Sequence, residues 1–191
     1  MKYTDSKSKI DGYRGQIKKL REEMRKVQAE AEPQAVENYQ LADTSGPVRL
    51  LDLFGDKHEL IAIHNMGTSC SSCTMWADGY NGVADHLTNR AAFVVVSPDT
   101  PDVQKTFAQG RGWHFRMASH AGTTFAADMG YRSKSGGWTP GVSVFRRDGD
   151  TVVRVSDTAL GPYDDFCSVW HLFDMLPGGA GEWRPKFKYG A

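Results

Sequence analysis

From Ile10 to Ala31 the apolar residues fall at Ile10, Tyr13, Ile17, Leu20, Met24, Val27 and Ala31, in steps that alternate three and four. The residues between them, as in "KKLREEMRK", are mostly charged. This spacing predicts a helix with an a/d seam about three heptads long, ended by Pro33. Gly12 and Gly15 weaken its first turns. Two uses of the seam stand open: docking on the chain's own domain, or pairing with a second copy as a homodimer. So narrow a stripe suits a helical partner better than a flat sheet.

The texture changes near residue 39, which divides the sequence into a helical arm, residues 1–38, and a domain, residues 39–191. "YQLAD", a turn at "TSG" and "PVRLLDLFGDKHELIAIHNM" predict a short hairpin, a helical turn and a buried strand at Glu59–Asn65. A helix is expected from Thr74 to about Asn89, and Gly79 and Gly82 each cost about 1 kcal/mol there, so it should kink or break. "AAFVVVSPD" is a near-continuous apolar run of the kind a central parallel strand shows. A helix at about 102–109, a strand at "FRMAS" and a helix at about 123–130 follow. "GVSVFRRDGDTVVRVSDT" is two alternating runs joined by Asp148-Gly149, a hairpin signal. "YDDFCSVWHLFDML" predicts a last helix before an irregular tail. The alternation argues for an α/β sandwich, parallel at its centre with an antiparallel hairpin at one edge.

Composition narrows the function classes. Hydrophobic residues make up 40% of the 191, enough for one core, and 23 basic residues balance 23 acidic ones. Nothing electrostatic points to nucleic acid or to an anionic membrane. No run approaches the ~18 apolar residues of a spanning helix, and "MKYTDSKSKIDGY" lacks the apolar region of a secretory signal. A cytoplasmic protein is the expectation. In that reducing setting Cys70-Ser-Ser-Cys73, in a chain with three cysteines, points to catalysis or metal binding rather than to a structural staple.

With Cys-x-x-Cys at a strand-to-helix junction and Thr139-Pro140 entering the hairpin, the order of elements resembles the thioredoxin superfamily. "VVVSPDTPDVQKTFAQGRG" is similar to the strand-helix insert of its peroxiredoxin-related branch. "LLDLFGDK", "CSSCTMWADGYNG" and "SVFRRDGD" further resemble a bacterial family described as thioredoxin-like dithiol-disulfide oxidoreductases, with no established substrate. The likeness spans most of residues 10–176. It implies a three-layer sandwich around a central mixed sheet, and a cis bond before Pro140, beside the cysteine pair. It implies no cofactor.

On such a fold Cys70 lies just before a helix and Cys73 in its first turn. Free backbone N–H groups and the positive end of the helix dipole stabilise a thiolate there. The thiolate is the nucleophile, so Cys70 is expected to attack a substrate disulfide and Cys73 to resolve the mixed disulfide. Ser71 and Ser72 are candidate donors to the thiolate. His64 stands about where thioredoxins carry a buried carboxylate, and is the expected acceptor of the Cys73 proton; a core histidine is the plainer reading. Thr139, Pro140, Trp76 and His120 are candidate substrate-side residues, and Trp138 lines a groove or covers the hairpin edge. His120 otherwise caps the next helix, and Trp76 otherwise fills the core. Cys167 reads as a buried small hydrophobe. The expected partner is a substrate protein or small thiol carrying a disulfide or thiol.

Two alternatives stand. In peroxiredoxins the reactive cysteine corresponds to Cys73, but their motif has Thr three residues earlier, where this chain has Cys70. A metal-binding or scaffold role has two zinc ligands in the cysteine pair, and His64, His86 and His120 could complete a site only through the fold.

Overall fold

The computed structural model describes residues 1–190. They divide into two compact units at Pro33/Gln34. The first is one helix, α1 (Tyr3–Glu30). The periodic stripe forms as predicted, Gly12 and Gly15 do not interrupt it, and none of its residues is buried. Lys7 and Arg14 bracket Asp11 at 2.6 and 3.3 Å on its flank.

The second unit begins at Gln34, earlier than the sequence boundary at 38/39. The reason is long-range: β1 (Gln34–Val36) pairs antiparallel with Val152–Arg154 near the far end of the chain. A hairpin of β2 (Gln40–Asp43) and β3 (Gly46–Arg49) leads into a 3-10 turn at Leu50–Phe54. Then come β4 (Glu59–His64), α2 (Ser71–Asn81), α3 (Ala84–Arg90), β5 (Ala92–Ser97) and α4 (Pro101–Arg111). The chain finishes with β6 (Arg116–Ser119), α5 (Phe125–Asp128), β7 (Gly141–Asp148), β8 (Thr151–Ala159) and α6 (Ser168–Phe173). The helix expected from Thr74 to Asn89 is broken at Gly82 and Val83.

All eight strands form one sheet in the order β1-β8-β7-β4-β5-β6-β2-β3. β4, β5 and β6 run parallel, and β7 and β8 extend the β4 side antiparallel. The core sits on both faces. Leu60 and Ala62 of β4, Val94 and Val96 of β5, and Phe145 of β7 face Leu50, Phe54, Phe125 and Tyr131. Ile63, Phe93, Val95 and Val142 face the other way, against Cys73, Trp76 and Ala77 of α2 and Trp170 of α6. A strand buried on both faces shows this alternation of direction without alternation of polarity. Among the described residues no helix is long and apolar enough to cross a membrane.

Candidate active site

β4 and β5 end side by side, and the link from β4 to α2 passes over that edge. Its turns are tied to both strands. The Asn65 amide donates to the Val96 carbonyl at 2.8 Å, and the Asn65 side chain accepts from the Gly67 N–H at 2.8 Å. From the end of β5, the Asp99 carboxylate accepts the Thr68 N–H at 2.9 Å and the Ser97 hydroxyl at 3.1 Å. Gly67 has φ +103°, and a Cβ there would stand 2.9 Å from Asp99 Oδ2. Only glycine takes that backbone beside that carboxylate without strain.

This loop delivers Cys70 to the N-cap of α2. The Cys70 Sγ accepts the Cys73 N–H at 3.0 Å, the bond that a Ser or Asp oxygen makes at other helix starts. The Cys73 side chain points back toward the sheet and accepts the Met66 N–H at 3.5 Å. The two thiols are free, and their environments pull them apart. The Cys73 thiol hydrogen-bonds Cys70 and, with the backbone N–H groups of Cys73 and Ser72, brings the Cys70 thiol down to about 7 against the cost of partial burial. The same hydrogen bond and deeper burial push the Cys73 thiol well up. One sulfur is thus poised as a thiolate near neutral pH, and its neighbour is held protonated.

Cys70 opens onto a groove of about 420 Å³ lined also by Met66, Ser69, Ser71, Ser72 and Trp138. Trp138 arrives from the segment before β7, held by the Arg132 guanidinium 4.8 Å from its ring centroid and by the edge of His120 at 4.7 Å. Of the expected substrate-side residues, Ser71, Ser72 and Trp138 therefore border the thiol. Donors to the Cys70 sulfur are the Cys73 thiol and backbone N–H groups rather than the two serine hydroxyls.

Other expectations are corrected. His64 lies on the opposite face of the sheet from Cys73: its Nε2 meets the Ser143 hydroxyl at 3.0 Å, and its ring stacks on Tyr131 at 4.0 Å and Phe125 at 5.4 Å. It cannot take the Cys73 proton across the sheet. Burial, then the charges of His120 and Arg154, press its pKa down to about 3, so it is a neutral core histidine. The Thr139–Pro140 bond is trans, as is every peptide bond among the described residues. Pro140 sits just before β7, where its carbonyl accepts the Leu160 N–H and prolongs the β7–β8 pairing; the Thr139 N–H goes to the Tyr131 carbonyl. Neither residue lines the groove. Trp76 is buried beside Cys73 and fills the core. His120 is buried behind Trp138, and its carbonyl accepts the Thr123 N–H and hydroxyl ahead of α5. Asp99 escaped the sequence reading as an individual, although "SPD" stood at a strand end; an Asn two residues before a Gly was the signal for the turn at Asn65.

Among the described residues no three His, Cys, Asp or Glu side chains gather as they would around a metal ion.

A family model described as "Bacterial protein of unknown function (DUF899)" matches residues 13–189. No curated protein matches the chain. Solved structures similar to it include reduced Prx3 from Vibrio vulnificus, at 17% identity and TM-score 0.57, over 70% of this chain and 89% of that one. Peroxidoxin BcpB from Mycobacterium tuberculosis is 26% identical with TM-score 0.54, over 66% and 84%. Peroxiredoxin Q from Xanthomonas campestris is 17% identical with TM-score 0.54, over 63% and 79%. The fold is thioredoxin-like, in its peroxiredoxin-related form.

Proposed function

The chain belongs to the DUF899 family of bacterial proteins, and from its site we propose that it is a thiol-disulfide oxidoreductase in which Cys70 attacks and Cys73 resolves. One observation carries this reading: the half-buried Cys70 caps α2 with its sulfur on the Cys73 N–H and opens onto the groove, while Cys73 is buried behind it, and in keeping with this the Cys70 thiol is lowered and the Cys73 thiol raised. The Cys70 thiolate attacks one sulfur of a substrate disulfide, forming a mixed disulfide and releasing the other sulfur as a thiolate. Cys73 then loses its proton and attacks the Cys70 sulfur. The Cys70–Cys73 disulfide forms, the second substrate thiol leaves, and two electrons have passed from protein to substrate. Run backward, the same steps oxidise a dithiol. As Cys70 leaves the thiolate state in the mixed disulfide, the bond that held the Cys73 proton is lost, so resolution is favoured only after attack. The groove beside Trp138 is open enough for a disulfide on a peptide or a small molecule.

The peroxiredoxin-like fold supports a second reading, a thiol peroxidase. There a cysteine sulfur takes one oxygen from a peroxide, releases water or an alcohol, and becomes a sulfenic acid. The version that makes Cys73 the reactive thiol has the geometry against it, since Cys73 is buried and its thiol is raised.

Alkylation by iodoacetamide, followed residue by residue with mass spectrometry from pH 5 to 9, tests the assignment. Cys70 should react with a midpoint near 7, while Cys73 stays largely unmodified across the range. Faster labelling of Cys73 would overturn the roles.

A further inference from the structure

The arm helix carries a long apolar face that is exposed along its length. Ile10, Tyr13, Ile17, Leu20, Met24 and Val27 are each between 48% and 68% exposed, along an unbroken helix of 28 residues. A helix so polar elsewhere gains its stability from burying that stripe against something. Its charges say what. As far as Arg21 the helix carries Lys7, Lys9, Arg14, Lys18, Lys19 and Arg21 against Asp5 and Asp11, a basic excess, and from Glu22 on it carries Glu22, Glu23 and Glu30 against Arg25 and Lys26, a slight acidic excess.

We propose that the arm pairs with the arm of a second copy as an antiparallel two-stranded coiled coil. With Ile10, Ile17 and Met24 at a and Tyr13, Leu20 and Val27 at d, the antiparallel register that pairs all six seats Ile17 against Leu20 of the second copy. Ile10 then meets Val27 and Tyr13 meets Met24, each pair occurring twice by symmetry. The long Tyr13 ring is opposed by the slender, adaptable Met24. On the flank, Lys9 falls opposite Glu30 of the second copy, again twice. Arg14 falls opposite Arg21 of the second copy, also twice, a like-charge contact that Asp11, 3.3 Å from Arg14, offsets. A parallel pair would instead set Lys9 against Arg14 and gain no opposite-sign contact on either flank. Antiparallel helices also place the basic end of one against the acidic end of the other, and their dipoles oppose. The occupant is thus a second copy of this chain, and this inference stands apart from the thiol chemistry.

Sedimentation equilibrium of the full-length protein over a wide concentration range tests it. The wild type should be a dimer, and Leu20→Glu a monomer whose Cys70 still reacts with iodoacetamide, which shows the domain intact. Lys9→Glu sets Glu against Glu30 twice and should raise the dimer dissociation constant roughly three- to tenfold. Adding Glu30→Lys to it should restore the dimer. A wild type that stays monomeric throughout, or a dimer indifferent to Leu20→Glu, would overturn the pairing. Tighter association of Lys9→Glu would mean that the helices are parallel, and an unchanged constant would mean that the register is wrong.

Discussion

At the residue scale, Cys70 meets a structural need and a chemical one with a single sulfur. The helix start must satisfy its free N–H groups, and Cys70 does so by accepting the Cys73 N–H. An anionic acceptor makes the stronger bond, so the geometry that caps α2 also favours the thiolate. His64 illustrates the reverse case. Its ring lies between Tyr131 and Phe125 with Nδ1 buried and unpartnered, a place where a proton has no counter-charge. Folded His64 takes a proton only near pH 3, whereas the unfolded side chain takes one below its ordinary value of 6.5. Between those values the unfolded state binds the extra proton, so the histidine's contribution is complete above pH 6.5 and is lost as pH falls toward 3. Its share of the slope is at most about 1.4 kcal/mol per pH unit. His64→Asn keeps a group able to meet the Ser143 hydroxyl and removes this titration. Urea unfolding at pH 7 and pH 4.5 should show the stability difference shrinking by about 2 kcal/mol in the variant. An undiminished difference would place the acid sensitivity elsewhere.

At the scale of elements, α2 is the part whose form the chemistry depends on most. Gly79 lies in its interior with an ordinary helical backbone and open space where a Cβ would go. Gly79→Ala should therefore stabilise the protein by up to about 1 kcal/mol, read as a shift of the urea midpoint, with the thiol reactivity unchanged. A lower midpoint would mean that close packing requires the glycine. Gly67 is its opposite, since there both the backbone and the Asp99 carboxylate exclude a side chain. Most elements were legible because their signals are local. The steps of three and four made α1, the run through Val94–Val96 made β5, Asp148-Gly149 made the hairpin, and the glycines of "DGYNG" made the break after α2. Two features were not legible, for one physical reason. β1 exists because it pairs with β8 more than a hundred residues away, and "QAV" carries no pattern of its own. The face of His64 was equally hidden: "ELIAIHN" is buried on both sides, so polarity cannot say which way the residue after Ile63 points. Only the packing of Tyr131 and Phe125 decides it.

At the scale of the whole molecule, the domain places the Cys70 sulfur where an open parallel sheet offers its ligand sites, outside the carboxyl ends of β4 and β5. The core packs on both faces of the sheet behind this edge, and the Asn65, Thr68 and Asp99 contacts fasten the cysteine loop to it. The cysteine pair was legible from spacing and resemblance. The proposed partition of roles goes beyond the spacing, because it depends on which sulfur the fold buries. Mixing the reduced protein with a small aromatic disulfide that releases a coloured thiol, and weighing each product, tests that partition most directly. The wild type should release two equivalents of coloured thiol and end with Cys70 and Cys73 joined to each other. Cys73→Ser should release one and retain the aromatic thiol on Cys70, and Cys70→Ser should react slowly and retain none at Cys73. Rapid formation of a stable adduct on Cys73 in the Cys70→Ser variant would contradict the account.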